Sequence, residues 1–264
     1  MTEVQTLSRP SCARVLAGGR SPQRCAEAEA QVRAACPEAR LCYYLADLAS
    51  QRQIRSLVAQ VQAGLPDGAL DVLINNAGAV ASRRTLTEDG YELQFAVNHL
   101  AAFLLADLLL PALQMGGAGR VLTVSSASHR WMVMNWGDVM FARWYHSLLA
   151  YKQSKLANVL FTVEFNRRFA GLGLRAFAID PGLVNTEIGL KGMHGVERWF
   201  WEQRRKGGTP PERPAQTLLH LCSEANPGAA PYWKDCAPMT PSRYALRADA
   251  GAQLWALSQQ LCAP

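Results

Sequence analysis

Paired cysteines, long apolar runs and concentrated charge are all scarce in this 264-residue chain. Seven cysteines stand at 12, 25, 36, 42, 222, 236 and 262, an odd number without a Cys-x-x-Cys. That spacing indicates neither a disulfide framework nor a zinc site, and no metal is expected. Reduced thiols in a cytosol-like compartment are the simplest reading. The opening MTEVQTLSRPSCARVL has no apolar signal-peptide core, so a cytoplasmic location is expected. The most apolar stretch, Leu100 to Leu113, is interrupted by Asp107 and Pro111. It is too short to span a membrane and reads as a buried helix. Net charge is +6, yet the longest basic run is only Arg204-Arg205-Lys206. Nucleic-acid binding needs a concentrated basic face, so no nucleic-acid partner is expected. There is no internal repeat and no low-complexity linker.

Hydrophobic residues make up 49% of the chain and charged ones 18%, enough apolar material for one sizeable α/β core. From residue 14 the pattern alternates. Strand-like runs cover 14–17, 41–46, 70–74, 120–124 and 174–179. Helical periodicity covers 22–36, 51–63, 88–113 (as one or two helices) and 147–169. The segment 190–215 reads as irregular, with Gly207-Gly208-Thr209-Pro210-Pro211 marking a loop. Near-continuous apolar strands separated by helices imply a parallel sheet covered on both faces. In such a sheet ligands bind beyond the carboxyl ends of the strands. Asp47, Asn75, Ser126 and Pro181-Gly182 all fall at those ends.

The helix 147–169 carries Tyr151 and Lys155, four residues apart and therefore on one face. A free tyrosine, with a pKa of about 10, is a poor acid or base at neutral pH. A neighbouring ammonium stabilises the phenolate and makes proton exchange with an alcohol or carbonyl oxygen feasible. Alone, the pair is a common surface motif. Its place beside the strand that ends in Ser125-Ser126 gives it meaning.

Asn75-Asn76-Ala77-Gly78, Asn98, Ser125-Ser126, Tyr151-x-x-x-Lys155 and Pro181-Gly182, in that order, resemble the short-chain dehydrogenase/reductase family. The resemblance covers roughly residues 14–262. The long interval between Ser126 and Tyr151, followed by Leu156-Ala157-Asn158-Val159-Leu160-Phe161, is similar to the retinol-dehydrogenase-like branch. What the resemblance implies is a three-layer Rossmann-like fold, a doubly wound parallel α/β sheet, occupying 14–264. It also implies roles for particular residues. Tyr151 would be the acid in reduction and the base in oxidation. Ser126 would polarise the substrate oxygen. Lys155 would lower the Tyr151 pKa and bind the nicotinamide ribose. Asn98 would hold a water linking Lys155 to solvent.

On the cofactor side, Asn75, Ala77, Gly78, Pro181, Gly182 and Thr186 would join Tyr151 and Lys155, with Asn75 mainly propping the sheet and Thr186 reaching the carboxamide or capping a helix. Asp47 would either face the adenine amino group or cap the next helix. Arg20 follows the first strand of the chain, where a basic residue can pair with the 2′-phosphate of NADP and an acidic one would favour NAD. NADP is therefore expected over NAD.

One departure is large. The family's opening strand and Thr-Gly-x-x-x-Gly-x-Gly turn have no match here, because Gly18-Gly19 runs into Arg-Ser-Pro. The first strand–helix unit is expected to be missing or replaced, with residues 1–13 unrelated or disordered, as in a truncated or mis-started product. Such a gap would leave two central strand edges unpaired. Aromatic residues between 131 and 145 and at 199–201 suit an apolar substrate. The expected activity is NADP-linked interconversion of an apolar alcohol and its aldehyde or ketone. The alternative is a catalytically inactive relative acting through protein contacts. By resemblance, helices 88–113 and 147–169 would form a homodimer face. Trp199–Lys206 resting on a membrane surface is a lesser expectation.

Overall fold

The computed structural model describes residues 13–184 and 208–264. Thr186 and the aromatic–basic run 199–206 lie outside the described residues. The strands are β1 (Arg14–Gly19), β2 (Arg40–Leu45), β3 (Val72–Asn75), β4 (Arg120–Val124), β5 (Arg175–Ile179), β6 (Tyr232–Lys234) and β7 (Ala237–Pro238). The helices are α1 (Pro22–Ala35), α2 (Gln51–Ala63), α3 (Ala101–Leu108), α4 (Leu110–Met115), α5 (Ser147–Phe169), α6 (Glu212–Ser223) and α7 (Ala248–Leu261).

The strands form two sheets. β1 and β2 pair in parallel, and β3-β4-β5-β6-β7 form the second, parallel except for the β6–β7 hairpin. In a doubly wound sheet of order 3-2-1-4-5-6, this is the order with its central position 1 vacant. Among the described residues nothing pairs with the second edge of β1 or of β3. The apolar side chains there are correspondingly wet: Val15 is 41% and Ile74 44% exposed. β4 and β5, flanked on both sides, bury Val121, Leu122, Ala176, Phe177, Ala178 and Ile179 completely or nearly so. Among the described residues the expected gap is therefore present.

Helices hold the two sheets together. Ile54, Leu57 and Val58 of α2 enter the same core as Leu104 of α3 and Leu156, Val159 and Leu160 of α5. The other face of the large sheet packs Leu122, Phe177 and Ile179 against Leu221 of α6 and Trp233. Three layers result, as expected. α5 is buried along 153–162, polar Gln153, Ser154, Lys155, Asn158 and Thr162 included, and those side chains find partners inside the fold. Its Phe161 stacks on Trp255 of α7 at 5.8 Å.

Several expectations need correction. The run 88–113 is not regular helix: it begins as a short turn at Leu93–Phe95, passes through a π-helical turn at Ala96–Leu100 and continues as α3 and α4 to Met115. The irregular segment closes earlier than 215, because α6 starts at Glu212. The cap of α2 is Ser50, whose hydroxyl accepts from the Gln53 N–H, and not Asp47. Asp47 instead bonds the Ala49 N–H within the turn before the helix, at 3.0 Å.

Candidate active site

Strand register assembles the site. Asn75 pairs with Thr123, and Val124 with Ile179, so β3, β4 and β5 end at one level. The ladder runs on through Ser125 N–H to Ile179 O at 2.8 Å. Ser126 and Pro181 consequently leave the sheet side by side. α5 crosses beneath them and is pinned there by Ser125 Oγ, which donates to Lys155 O at 2.8 Å.

Lys155 is 4% exposed, and its Nζ donates to Val124 O at 2.9 Å. That is its one hydrogen bond among the described residues, leaving two of three N–H donors free. Burial depresses its pKa to about 8. The ammonium stands 5.7 Å from the Tyr151 ring centroid. Burial also pushes the Tyr151 phenol up, the Ser126 hydroxyl beside it pulls the other way, and the Asp180 carboxylate pushes up again. Tyr151, Ser126 and Lys155 are therefore brought together, but the Tyr151 phenol stands above its ordinary pKa and not below it as expected of a neighbouring ammonium, because burial outweighs the Ser126 hydrogen bond. Ser126 additionally accepts from the Ser128 N–H at 3.3 Å, so its turn-capping role and its place beside Tyr151 coexist.

Asn98 sits in the π-helical turn, a geometry that interrupts the helical ladder and often marks a functional position. Its Oδ1 accepts from Ala79 N–H at 2.6 Å, and its Nδ2 donates to Ala79 O at 3.0 Å and Ser154 Oγ at 2.9 Å. The amide clamps the loop after β3 to α5. Ser154, which sequence reasoning passed over, is the other half of that clamp. Asn75 Nδ2 reaches Ala102 O and Thr123 Oγ1, both at 3.5 Å, as a prop of the sheet, while its buried Oδ1 has no partner among the described residues. Gly78 lies close under the site: a Cβ there would fall 3.3 Å from Asn98 Oδ1 and 3.7 Å from Lys155 Nζ. Ala77 is exposed at the loop surface. Gly182 takes a φ of +70°, and its N–H bonds Asp180 Oδ1 at 2.9 Å. Arg20 and Asp47 meet at the far end, 3.7 Å apart, with the Arg20 side chain 72% exposed.

Two halves of a nicotinamide dinucleotide site are unequal here. At the nicotinamide–ribose end the free Lys155 donors, bare Gly78 and the Gly182 turn fit the group. At the diphosphate end they do not. Gly19 is packed against its own chain, since a Cβ there would fall 2.3 Å from Cys25 Sγ. α1 begins at Ser21-Pro22 without a glycine-rich approach to its N-terminus.

A doubly wound parallel sheet with a serine, a tyrosine and a buried lysine converging at its strand ends defines an oxidoreductase class. Residues 6–193 match the short chain dehydrogenase family. The chain belongs to that family of oxidoreductases, in its retinol-dehydrogenase-like branch. It is 33% identical over 270 residues to human retinol dehydrogenase 14, covering 94% of this chain and 78% of the relative. A crystal structure of an uncharacterised Mycobacterium paratuberculosis protein is 33% identical, with a TM-score of 0.70 over 94% of this chain and 83% of that one. NADPH-bound carbonyl reductase from chicken fatty liver shares the fold, at 22% identity and a TM-score of 0.65 over 89% and 90% of the two chains.

Proposed function

We propose that this chain is an NADP-linked oxidoreductase that interconverts an apolar alcohol and its aldehyde or ketone. What carries the proposal is the convergence of the Tyr151 phenol, the Ser126 hydroxyl and the buried Lys155 ammonium. In the reductive direction Ser126 donates a hydrogen bond to the substrate oxygen. Tyr151 then passes its proton to the developing alkoxide, and Lys155 stabilises the phenolate left behind. A nicotinamide ring, when bound, supplies the hydride. Lys155, Gly78 and Gly182 would border its ribose and ring. A cleft of about 400 Å³, lined by Trp131, Met132, Val133 and Tyr244 together with Arg130, Ser242 and Arg243, offers an apolar surface with a basic rim.

NADPH titration of the folded protein tests the proposal, with saturable binding as the expected result. Arg20→Glu should weaken NADPH by roughly ten- to a hundredfold, the loss of a charge-assisted contact, and leave NADH nearly unchanged. Equal losses for both cofactors would remove Arg20 from 2′-phosphate recognition.

A second reading, a chain of this family without catalysis, is favoured by the closed Gly19–Cys25 contact and by the edges of β1 and β3 that stay unpaired among the described residues. The same titration separates the two. Protein that unfolds cooperatively yet shows no saturable NADPH binding is not the oxidoreductase proposed here.

A further inference from the structure

Ser126 opens a 3-10 turn, Ala127–Trp131, and three residues into it stands His129. The imidazole is fully enclosed, at 0% exposure. Its Nε2 lies 3.1 Å from the backbone N–H of Ser242, 113 residues further along the chain. That N–H can only donate, so Nε2 must accept and carries no proton. The ring proton is therefore on Nδ1, which donates to the carbonyl oxygen of Ser126 at 2.7 Å. Tyr232 packs edge-on against the ring, with centroids 4.8 Å apart.

Burial is the main force holding His129 below the ordinary histidine pKa. The Ser126 carbonyl and the Asp180 carboxylate act upward, and the Arg130 guanidinium acts downward. A neutral ring is also what the contacts demand, because a protonated Nε2 would face the Ser242 N–H with no acceptor. A histidine that merely filled space would need no polar partners. This one satisfies both nitrogens with backbone groups of two separate segments, and one of those groups belongs to Ser126.

We propose that His129 is a positioning residue of the active site: as the neutral Nδ1–H form it ties the Ser126 peptide to the Ser242 segment and so holds the Ser126 hydroxyl against Tyr151. The proposal rests on Ser126 and Tyr151 acting as the pair described above. Ser242 also lines the cleft that Arg130, Trp131 and Met132 border. The imidazole thus joins the polarising serine to one wall of that cleft.

Two measurements test this. In the first, ¹⁵N NMR of imidazole-labelled protein reads the tautomer without turnover. The expected spectrum has the proton on Nδ1 and a titration displaced below that of an ordinary histidine. A proton on Nε2, or titration near the ordinary histidine value, overturns the proposal.

In the second, reduction of an apolar aldehyde by NADPH is compared in wild type, Ser126→Ala, His129→Phe, His129→Asn and the double variant Ser126→Ala/His129→Phe. His129→Phe should lower kcat by roughly ten- to a hundredfold, the effect of a displaced reacting group, with KM for NADPH unchanged. His129→Asn keeps an N–H donor near the Nδ1 position and should recover most of the loss. The double variant should be no slower than Ser126→Ala alone, since both changes act through one hydroxyl. Wild-type kcat in His129→Phe, or losses that multiply in the double variant, overturn the positioning role while leaving the oxidoreductase reading intact. Absence of turnover in wild type overturns that reading and this role together.

Discussion

Tyr151→Phe is expected to lower carbonyl reduction by roughly 10²- to 10⁴-fold, the usual contribution of a positioned general acid. The substitution removes one oxygen and leaves the ring where it is. Tyr151 lies near the start of α5, whose next two turns are buried against the core. The ring is thus fixed by the helix and not by the phenol. Stability should change little, and NADPH binding should persist, because Lys155 and the Asn98–Ser154 clamp do not depend on the hydroxyl. The kinetic signature is a fall in kcat equal to the fall in kcat/KM for the carbonyl, since the lost interaction is one made in the transition state. Single-turnover rates with prebound NADPH would measure it. A variant that reduces substrate within a few-fold of wild type would remove Tyr151 from the chemistry and leave the Ser126–Lys155 neighbourhood without an acid.

That Tyr151 could be singled out at all reflects what local sequence pattern conveys. Gln51–Ala63, Arg120–Val124 and Ser147–Phe169 were readable to the residue because periodicity and bounding residues agree there. The meeting of Ser126, Tyr151 and Pro181 followed from strands ending at a common level, and parallel topology makes that level predictable. The vacancy beside β1 followed from counting strand–helix units against the expected order. Other features depend on contacts that sequence spacing does not encode. The π-helical turn at Ala96–Leu100 looks like ordinary helix until Asn98 is seen bonding both backbone groups of Ala79. The β6–β7 hairpin turns through Asp235 and Cys236, both at positive φ, where the usual Asn-Gly signal is lacking. Asp47 was an acceptable helix cap by composition, and Ser50, three residues on, won because its hydroxyl reaches the Gln53 N–H. His129 carries no signal of its role in the local sequence, since the Ser242 N–H that assigns its tautomer is remote in the chain.

Lys155→Met should abolish the activity of the same site and yet make the protein more stable at neutral pH. The Lys155 ammonium is enclosed and has no carboxylate partner among the described salt bridges. Its pKa falls from 10.5 to about 8 because burial penalises the charged form. A lysine whose folded pKa is depressed binds fewer protons than its unfolded counterpart between those two values. Stability from this group therefore rises with pH from about 8 towards 10.5, and the full penalty applies below about 8. The shift corresponds to roughly 3 kcal/mol as an upper limit at pH 7. Methionine has a similar length and no charge. The Val124 carbonyl that loses Lys155 keeps the Asn158 Nδ2 donor at 3.3 Å, so no buried acceptor is stranded. A net gain of about 1–3 kcal/mol at pH 7 is expected in denaturant unfolding, and it should shrink towards zero as pH approaches 10.5. A variant less stable than wild type at pH 7 would mean that the ammonium is held by groups that offset its burial, and the site would then lack the free donors a ribose requires. The expected opposite outcome, a stabler and inactive protein, marks Lys155 as a residue kept charged and enclosed at the expense of the fold, which is the condition for stabilising a phenolate four residues away on the same helix.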